Sequence, residues 1–515
     1  MMHESQQALS AKLSVLLQGL APVADEVDRE ICGLSLDSRF AAKGDLFFAC
    51  AGTRSHGIEY LEQVCKSGVA AVAWEPTDEL RLLAQADRGM PDVPVIAIEG
   101  LSQLIGVIAD RFYGHPSHDL VVIGVTGTDG KTSTSQFLGY CLERSQSRCG
   151  IIGTLGYGLY GQLQEATHTT PDAIRIQKLM ASLREQGARY VVMEVSSHGL
   201  DQGRANGIEF DIAVLTNLSR DHLDYHADLQ AYAQAKQRLF RMPGLRYAVL
   251  NRDEDFTSQI RQVLDRNVAV ISYGLTPVSM DADEVQLRAT DIHLHAHGMH
   301  FRVTGPWGEA EIDTALLGRF NVSNLLAVLS VLTALEVPWE EACALLGQLQ
   351  TVPGRMESIP VEKGQDAPMV VVDYAHTPKA LTQVLLALRE HCHGKIWCVF
   401  GCGGDRDAGK RPLMGEAVER HADRAVITDD NPRTESADKI IREILAGMQN
   451  QDAAHVQRDR ARAIQWALEQ ADASDVVLVA GKGHEEYQWV GDRKIPFSDR
   501  QVVRHWLATK GGAWK

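Results

Sequence analysis

The chain has 515 residues, 45% hydrophobic and 23% charged, enough for several buried cores and for three or four domains of ~100–200 residues each. Its 51 Lys and Arg against 67 Asp and Glu give a formal charge of −16. Disordered, collagen-like and fibrous classes are excluded, and the acidic balance argues against nonspecific nucleic-acid or membrane-surface binding, which needs a cationic field.

No stretch reaches the ~18 consecutive apolar residues of a membrane-spanning helix. The N-terminal MMHESQQALSAKLSVLLQGL has no basic leader and only a short apolar core. A cytoplasmic protein without membrane insertion is therefore expected. Nine cysteines without framework spacing suit a reducing compartment. The densest group, His391, Cys392, His393, Cys398 and Cys402, lacks a C-x-x-C pair, and Cys398 lies inside the apolar run IWCVF. Buried thiols rather than a zinc site are expected there.

In chain order, residues 1–101 mix short strands (DLFFACAG, AAVAWEP, VPVIAIEG) with helical stretches. Residues 102–352 alternate apolar runs with longer amphipathic segments; the runs are LVVIGVTGT, YVVMEVSS, DIAVLTNLS, YAVLN and AVISYG. Near-continuous β-branched runs read as strands of a parallel sheet buried on both faces. After Pro353-Gly354 the alternation resumes over 353–515 with MVVVDYAHTP, IWCVFGCGGDRD, RAVITDDNPRTE and DVVLVAGKGHE. Each run ends in a Gly-, Asp- or His-rich turn, and ligands of open α/β sheets bind at the carboxyl ends of strands. The expected fold class is thus α/β, with two sheets presenting polar turns.

The first turn with chemistry is GVTGTDGKTST, residues 124–134, between a strand and a helix. Val125 breaks the strict phosphate-loop pattern, leaving Gly127-x-x-Gly130-Lys131-Thr132. Glycines let backbone N–H groups curl around phosphate, Lys131 reaches the β/γ phosphates, and Thr132 ligates Mg²⁺. MEVSSHGLDQGR (193–204) offers Glu194 as a metal ligand and Ser196, Gln202 and Arg204 as donors to an anionic or carbonyl-rich substrate. TNLSRDHLDYH (216–226) crowds Asp221, His222, Asp224 and His226, which read either as a magnesium-bridging group or as a solvated helix cap. Lys236, read alone in AYAQAKQRLF, is a surface lysine. LLGRFNVSNLLA supplies Asn321 and Asn324 for an adenine edge or an N-cap, and VPGRME sets Arg355 beside a glycine. In the last region Arg406, Arg433, Lys482 and Glu485 offer arginines for carboxylates and an acid for an ammonium, the elements of an amino-acid site.

TGTDGKT, MEVSSHGLDQGR, TNLSRDHLDYH, LLGRFNVSN, PGRME, DYAHTP, GCGGDRD and GKGHE occur in this order over almost the whole chain. Together they resemble the Mur ligase family. The resemblance implies three domains: a small α/β N-terminal UDP-binding domain (1–101), a central P-loop ATPase with a mainly parallel sheet (102–352), and a C-terminal Rossmann-like domain (353–515). It implies a monomeric ATP-dependent ligase using Mg²⁺, whose substrates are small molecules. DNPR at 430–433 is similar to the form that adds meso-2,6-diaminopimelate to UDP-N-acetylmuramoyl-L-alanyl-D-glutamate through an acyl phosphate. The alternatives are the L-lysine-adding ligase and a folylpolyglutamate synthetase-like enzyme; a P-loop regulator that makes no bond is the rival from another class.

Carried over by position, Leu36, Ser38, Thr53, Arg54 and Ser55 match uridine-nucleotide contacts. His168, Thr169, Thr170, Ser196, Gln202 and Arg204 match muramoyl-dipeptide contacts. Gly127, Thr128, Asp129, Gly130, Lys131, Thr132 and Ser133 match the ATP loop, with Asn324, Arg355 and Asp373 as adenosine and phosphate contacts. Lys131, Lys236, His222 and Arg355 match catalytic positions. Thr132, Glu194, His222 and Lys236, carbamylated, match the metal set. Arg406, Asp430, Asn431, Pro432, Arg433, Gly481 and Glu485 match the diaminopimelate site. Two positions depart from the family's usual pattern: Asp129 and His168 both stand where Asn is common.

Overall fold

The computed structural model describes residues 9–52, 55–77, 93–145, 147–222, 225–276, 285–361 and 367–511. It divides into two compact units: Met1–Ser272, Ala282–Glu284 and Ser330–Leu335 make up the first, and Tyr273–Asp281, Val285–Leu329 and Glu336–Lys515 the second.

The first unit begins with four parallel strands, β1 (Gly33–Ser35), β2 (Asp45–Ala49), β3 (Ala71–Trp74) and β4 (Val95–Ala97), paired in sequence order. Phe47 and Trp74 pack on one face and Phe48 on the other, where helix α1 (Leu101–Phe112) contributes Ile105 and Ile108. Its second sheet contains β5 (Val121–Thr126), β6 (Cys149–Gly153), β7 (Gly156–Leu159), β8 (Tyr190–Glu194), β9 (Ile212–Leu215) and β10 (Tyr247–Asn251), in the spatial order β7-β6-β8-β5-β9-β10. All neighbours are parallel except the β6–β7 hairpin. Ile123 lies opposite Val192 on one side and Ile212 on the other. Strand β5 is buried almost throughout, as its LVVIGVT run requires. Because the chain leaves β5 toward β6 and β8 on one side and returns to β9 on the other, the loop after β5 opens at the topological switch point. That loop carries residues 127–130.

The second unit holds an antiparallel meander, β11 (Val285–His295), β12 (Gly298–Gly305) and β13 (Gly308–Thr314). It also holds a six-stranded sheet of β14 (Glu357–Ile359), β15 (Met369–Asp373), β16 (Ile396–Phe400), β17 (Arg424–Ile427), β18 (His455–Val456) and β19 (Val476–Ala480). The spatial order is β14-β15-β19-β16-β17-β18, parallel except for the β14 edge. Successive residues alternate between two cores: Val370, Val372, Val399, Val477 and Val479 face one, while Val371, Cys398, Phe400 and Leu478 face the other. Two buried faces explain why these strands read as unbroken apolar runs. The carboxyl ends of β15, β16, β17 and β19 present the DYAHTP, GCGGDRD, DDNPRTE and GKGHE turns. Among the described residues no helix is long and apolar enough to cross a membrane.

Candidate active site

In the first unit the loop after β5 turns on Gly127 (φ 151°) and Gly130 (φ 81°) and feeds helix α2 (Lys131–Ser145). A Cβ at Gly127 would collide with the Thr216 hydroxyl, so only glycine lets the loop close on the end of β9. The TNLS segment secures it there. Thr128 N donates to Asn217 O (3.0 Å), Asp129 N donates to Asn217 Oδ1 (2.8 Å), and Thr216 Oγ1 donates to Asp129 O (2.7 Å). Asp129 is thus held by its main chain and is exposed. Lys131 Nζ folds back onto Gly127 O and Thr128 O, both at 2.8 Å, and Ser133 follows in the first turn of α2.

Glu194, at the carboxyl end of β8, is completely buried. Its oxygens accept from Thr132 Oγ1 (2.9 Å), Thr154 N (2.9 Å), Thr154 Oγ1 (3.0 Å) and, more weakly, Ser135 Oγ (3.4 Å). The carboxylate thus takes neutral hydroxyl and peptide donors on both oxygens in a site closed to water. Thr132 and Glu194 supply adjacent hard oxygens, the donor type that suits Mg²⁺. Among the described residues no group of three or more His, Cys, Asp or Glu is arranged to hold a metal ion, in this region or around Cys392, Cys398 and Cys402.

Lys236 corrects the surface-lysine reading. It lies on helix α3 (Leu229–Gln237), capped by Asp228, on the face that turns inward, and is 1% exposed. Its Nζ donates to Gly127 O (2.6 Å) and lies 4.4 Å from the Tyr232 ring centroid. Burial, reinforced by the neighbouring Lys131 charge, holds its pKa well below the usual lysine value. Tyr232, one helical turn earlier, reaches Thr128 Oγ1 at 3.1 Å, and its phenol is pushed upward by burial. His222, with φ 52°, donates its backbone N–H to Asp221 Oδ1 and approaches Lys236 through Tyr232, ring to ring at 6.2 Å. His226 is buried, its ring tilted against that of Tyr232 at 5.3 Å, whereas Asp224 lies outside the described residues.

Of the expected muramoyl-dipeptide residues, Thr169, Thr170 and Ser196 gather at the strand end that carries Glu194, and Arg204 joins them through Thr170. Thr169 Oγ1 meets Thr154 Oγ1 at 3.0 Å, and Thr170 Oγ1 donates to Glu194 O (2.9 Å) while accepting from Ser196 N (3.0 Å). Ser196 Oγ caps a short helix by accepting from Gly199 N. Arg204 is held by Thr170 O (2.7 Å) and by Gln202 Oε1 through two donors. His168 is exposed, its main chain bonded to the Tyr157 hydroxyl in both directions. In the N-terminal sheet region Leu36 is exposed, Ser38 O accepts from Gln63 Nε2, and Ser55 Oγ meets Tyr60. Thr53 and Arg54 lie outside the described residues.

In the second unit five turns meet. A Cβ at Gly354 (φ 68°) would strike His484 N, so PGRME packs directly on GKGHE. Arg355 lies over the Tyr374 ring at 5.1 Å. Asp373 is buried, accepting from Met356 N and Ala375 N at 2.7 Å each; burial raises its pKa, with Arg355 opposing. Asn324 is buried too, donating to Asn321 Oδ1 (2.9 Å). A Cβ at Gly481 would press on the Asp430 carboxylate at 2.5 Å. Fully buried Lys482 donates to Asn431 Oδ1 (3.0 Å) and Glu485 Oε2 (2.9 Å), and Asn431 Nδ2 donates to the same carboxylate oxygen at 3.0 Å. Gly404 N donates to Asn431 O, a Cβ at Gly404 would strike Pro432 O, and Arg433 Nη1 donates to Gly404 O (2.7 Å). Arg406 is exposed on that glycine turn.

Sequence reading passed over Thr154, Ser135, Asn217 and Tyr232 in the first unit and Gln488 and Trp489 in the second. Tyr232 carried a signal, lying four residues before Lys236 on one helix face. Thr154 follows a strand end, but its strand was not read as one.

Three Mur ligase domain families match the chain: the Mur ligase family, catalytic domain, over residues 30–113; the Mur ligase middle domain over 125–332; and the Mur ligase, glutamate ligase domain over 354–483. A UDP-N-acetylmuramoyl-L-alanyl-D-glutamate–2,6-diaminopimelate ligase of Alkalilimnicola ehrlichii is 48% identical over 506 residues, covering 98% of this chain and 100% of that protein. The protein of the same name from Coxiella burnetii is 47% identical, covering 92% of this chain and 95% of its own length. A solved structure of such a ligase superposes with a TM-score of 0.70 at 35% identity, over 94% of this chain and 96% of its own. Motif order, phosphate loop, buried glutamate and full-length similarity agree: this chain belongs to the Mur ligase family.

Proposed function

We propose that the protein is an ATP-dependent ligase joining meso-2,6-diaminopimelate to the D-glutamyl carboxylate of UDP-N-acetylmuramoyl-L-alanyl-D-glutamate, a cytoplasmic step of peptidoglycan precursor synthesis. Relatives bearing that activity in their names support it. The observation that carries it is the second-unit constellation of Arg433 beside Asn431, Lys482 and Glu485, a cation and an acid fixed together at strand ends. An incoming diamino diacid has a distal carboxylate for Arg433, paired through a planar fork, and an ammonium for an acid. L-lysine lacks that carboxylate and would leave the guanidinium unmatched.

The domain assignment follows the sequence: residues 1–101 take the uridine nucleotide through Leu36, Ser38, Thr53, Arg54 and Ser55, residues 102–352 take ATP, and residues 353–515 take the amino acid. His168, Thr169, Thr170, Ser196, Gln202 and Arg204 orient the muramoyl dipeptide. Asn324, Arg355 and Asp373 serve the adenosine and phosphate contacts. Arg406, Asp430, Asn431, Pro432, Arg433, Gly481 and Glu485 build the amino-acid site. A carboxylate is a poor acyl donor until one oxygen becomes a phosphate leaving group. The glutamyl oxygen attacks the γ-phosphorus, ADP departs, and an acyl phosphate forms. Gly127 to Ser133 hold the phosphates, and Lys131 offsets the charge that builds as two anions meet. Thr132, Glu194, His222 and carbamylated Lys236 would hold Mg²⁺, which would supply charge neutralisation for the phosphates. Burial favours the neutral Lys236 amine, whose lone pair is what carbamylation by CO₂ requires. The free amine of diaminopimelate then adds to the acyl carbon, loses a proton, and phosphate leaves.

Purified protein with Mg-ATP and the UDP-muramoyl dipeptide is expected to release phosphate only when diaminopimelate is added. Equal turnover with L-lysine would overturn the specificity, and amino-acid-independent release would overturn the ligase reading.

A further inference from the structure

The 429–433 turn is not self-supporting. Arg433 has φ 52°, a left-handed conformation that costs a side-chain-bearing residue about 1 kcal/mol and persists only where neighbours impose it. The neighbour is the hairpin of β20 (Tyr487–Val490) and β21 (Arg493–Pro496). Gln488 Nε2 donates to Asp430 O (2.7 Å) and, at a longer 3.3 Å, to Asp429 O. Trp489 N donates to Asn431 Oδ1 (2.8 Å). Arg433 N donates to Trp489 O (3.0 Å), and Gly491 N donates to Arg433 O (2.8 Å), so the strained residue is clamped on both sides as a bridge to Val490. The guanidinium lies 5.9 Å from the Trp489 ring centroid, with the Lys494 ammonium at 5.5 Å from the same ring. Each of these bonds from the hairpin ends on the turn that bears Asp430, Asn431 and Arg433.

We infer that Gln488 and Trp489 are positioning residues for the choice of incoming amino acid: the hairpin holds the turn's backbone and the Trp489 face holds the Arg433 guanidinium at the height where a second carboxylate is read. This rests on the diaminopimelate reading above. The carboxamide of Gln488 is suited to the task because it carries two N–H donors for two carbonyls. A glutamate there has the same shape but only acceptors at neutral pH, and would repel both carbonyls. The Trp489 ring adds a flat apolar and cation-attracting surface that keeps a long side chain from swinging. Neither residue needs to touch the substrate.

The test is steady-state phosphate release by the full chain with Gln488→Glu, Trp489→Leu and Trp489→Phe, varying diaminopimelate, L-lysine and ATP in turn. The expected result is a rise of about tenfold in the diaminopimelate KM for Gln488→Glu and Trp489→Leu, the size of one lost hydrogen bond or cation–ring contact. The ATP KM and kcat should stay within about twofold, the preference over L-lysine should shrink in the same proportion, and Trp489→Phe should recover most of the loss. Diaminopimelate KM values at the wild-type level in both disrupting variants would overturn the inference. So would a parallel rise in the ATP KM, since a merely structural role predicts that. If the wild-type protein shows no diaminopimelate-dependent release, the ligase reading itself fails and the positioning role with it. That outcome is distinct from an active wild type with indifferent variants.

Discussion

Two glutamates at strand ends, Glu194 in the first unit and Glu485 in the second, are desolvated in opposite ways. Glu194 is wrapped in hydroxyls and a peptide N–H, all neutral, and sits at 0% exposure. Glu485 is half-buried and shares one oxygen between the ammonium of fully buried Lys482 and the Asn431 amide. Neutral donors satisfy the lone pairs and bring no counter-charge into the low-dielectric setting. A lysine partner instead places an opposite-charge donor beside the carboxylate and fixes it in a rigid platform. The first arrangement suits a group whose counter-charge arrives with the substrate, the second an acid held in a fixed orientation beside Lys482 and Asn431.

That contrast is open to a direct attack at Glu194. Glu194→Gln preserves shape and part of the hydrogen bonding while removing the charge. Phosphate release should fall by about a thousandfold or more, the scale of losing a preorganised electrostatic group, while the thermal midpoint changes by only a few degrees. A variant that keeps a tenth of wild-type kcat would show that the buried charge is incidental. Lys482→Met probes the other side. It strands Glu485 with a single amide partner, and because that carboxylate is partly solvated the expected cost is about 2 kcal/mol of stability, below the range for a fully buried pair. Urea unfolding measures it; an unchanged or higher midpoint would mean that the Lys482–Glu485 pair is no better than apolar packing, and the platform interpretation would fail.

What was legible in the sequence follows the same division. The parallel strands announced themselves because burial on both faces forces β-branched runs, as in YVVME and MVVVD. The meander escaped notice: in VQLRATDIHLH, inward residues such as Leu287 and Ala289 alternate with half-buried or exposed polar ones, and two histidines dilute the period. The β6–β7 hairpin escaped too, because CGIIG and GYGL are glycine-rich, with Gly150 and Gly158 where side chains of Leu183 and the Gln162 backbone press in. Candidate site residues were proposed where a motif carried them; Thr132, Thr169, Thr170, Ser196 and Arg204 lie around Glu194 and its strand end. Lys236 shows the limit. Nothing in AYAQAKQRLF distinguishes a lysine pointing inward from one in water, because the helix register relative to the loop at Gly127 is a tertiary fact. Gln488 and Trp489 act through one carboxamide and several main-chain groups, and main-chain hydrogen bonds leave no mark on residue type.

A third manner of burying an ionisable group sharpens the comparison at the smallest scale. His391, 3% exposed, neither lacks a counter-charge nor holds one: it is bridged as a neutral ring. Its Nε2 accepts from Gly318 N and its Nδ1 donates to His295 O, both at 2.8 Å. Only the uncharged tautomer satisfies both, and burial lowers its pKa from 6.5, although the His295 carbonyl and Glu390 pull the other way. The unfolded chain therefore binds a proton at a pH where the folded chain does not, so stability is complete above about pH 6.5 and declines as pH falls below it. The slope from this one group is at most about 1.4 kcal/mol per pH unit. Thermal melts between pH 7.5 and 5 should show His391→Gln less stable at pH 7.5 but flatter toward acid than wild type. Parallel curves would mean that His391 takes up its proton without losing Gly318, and that neutrality is not what this bridge requires.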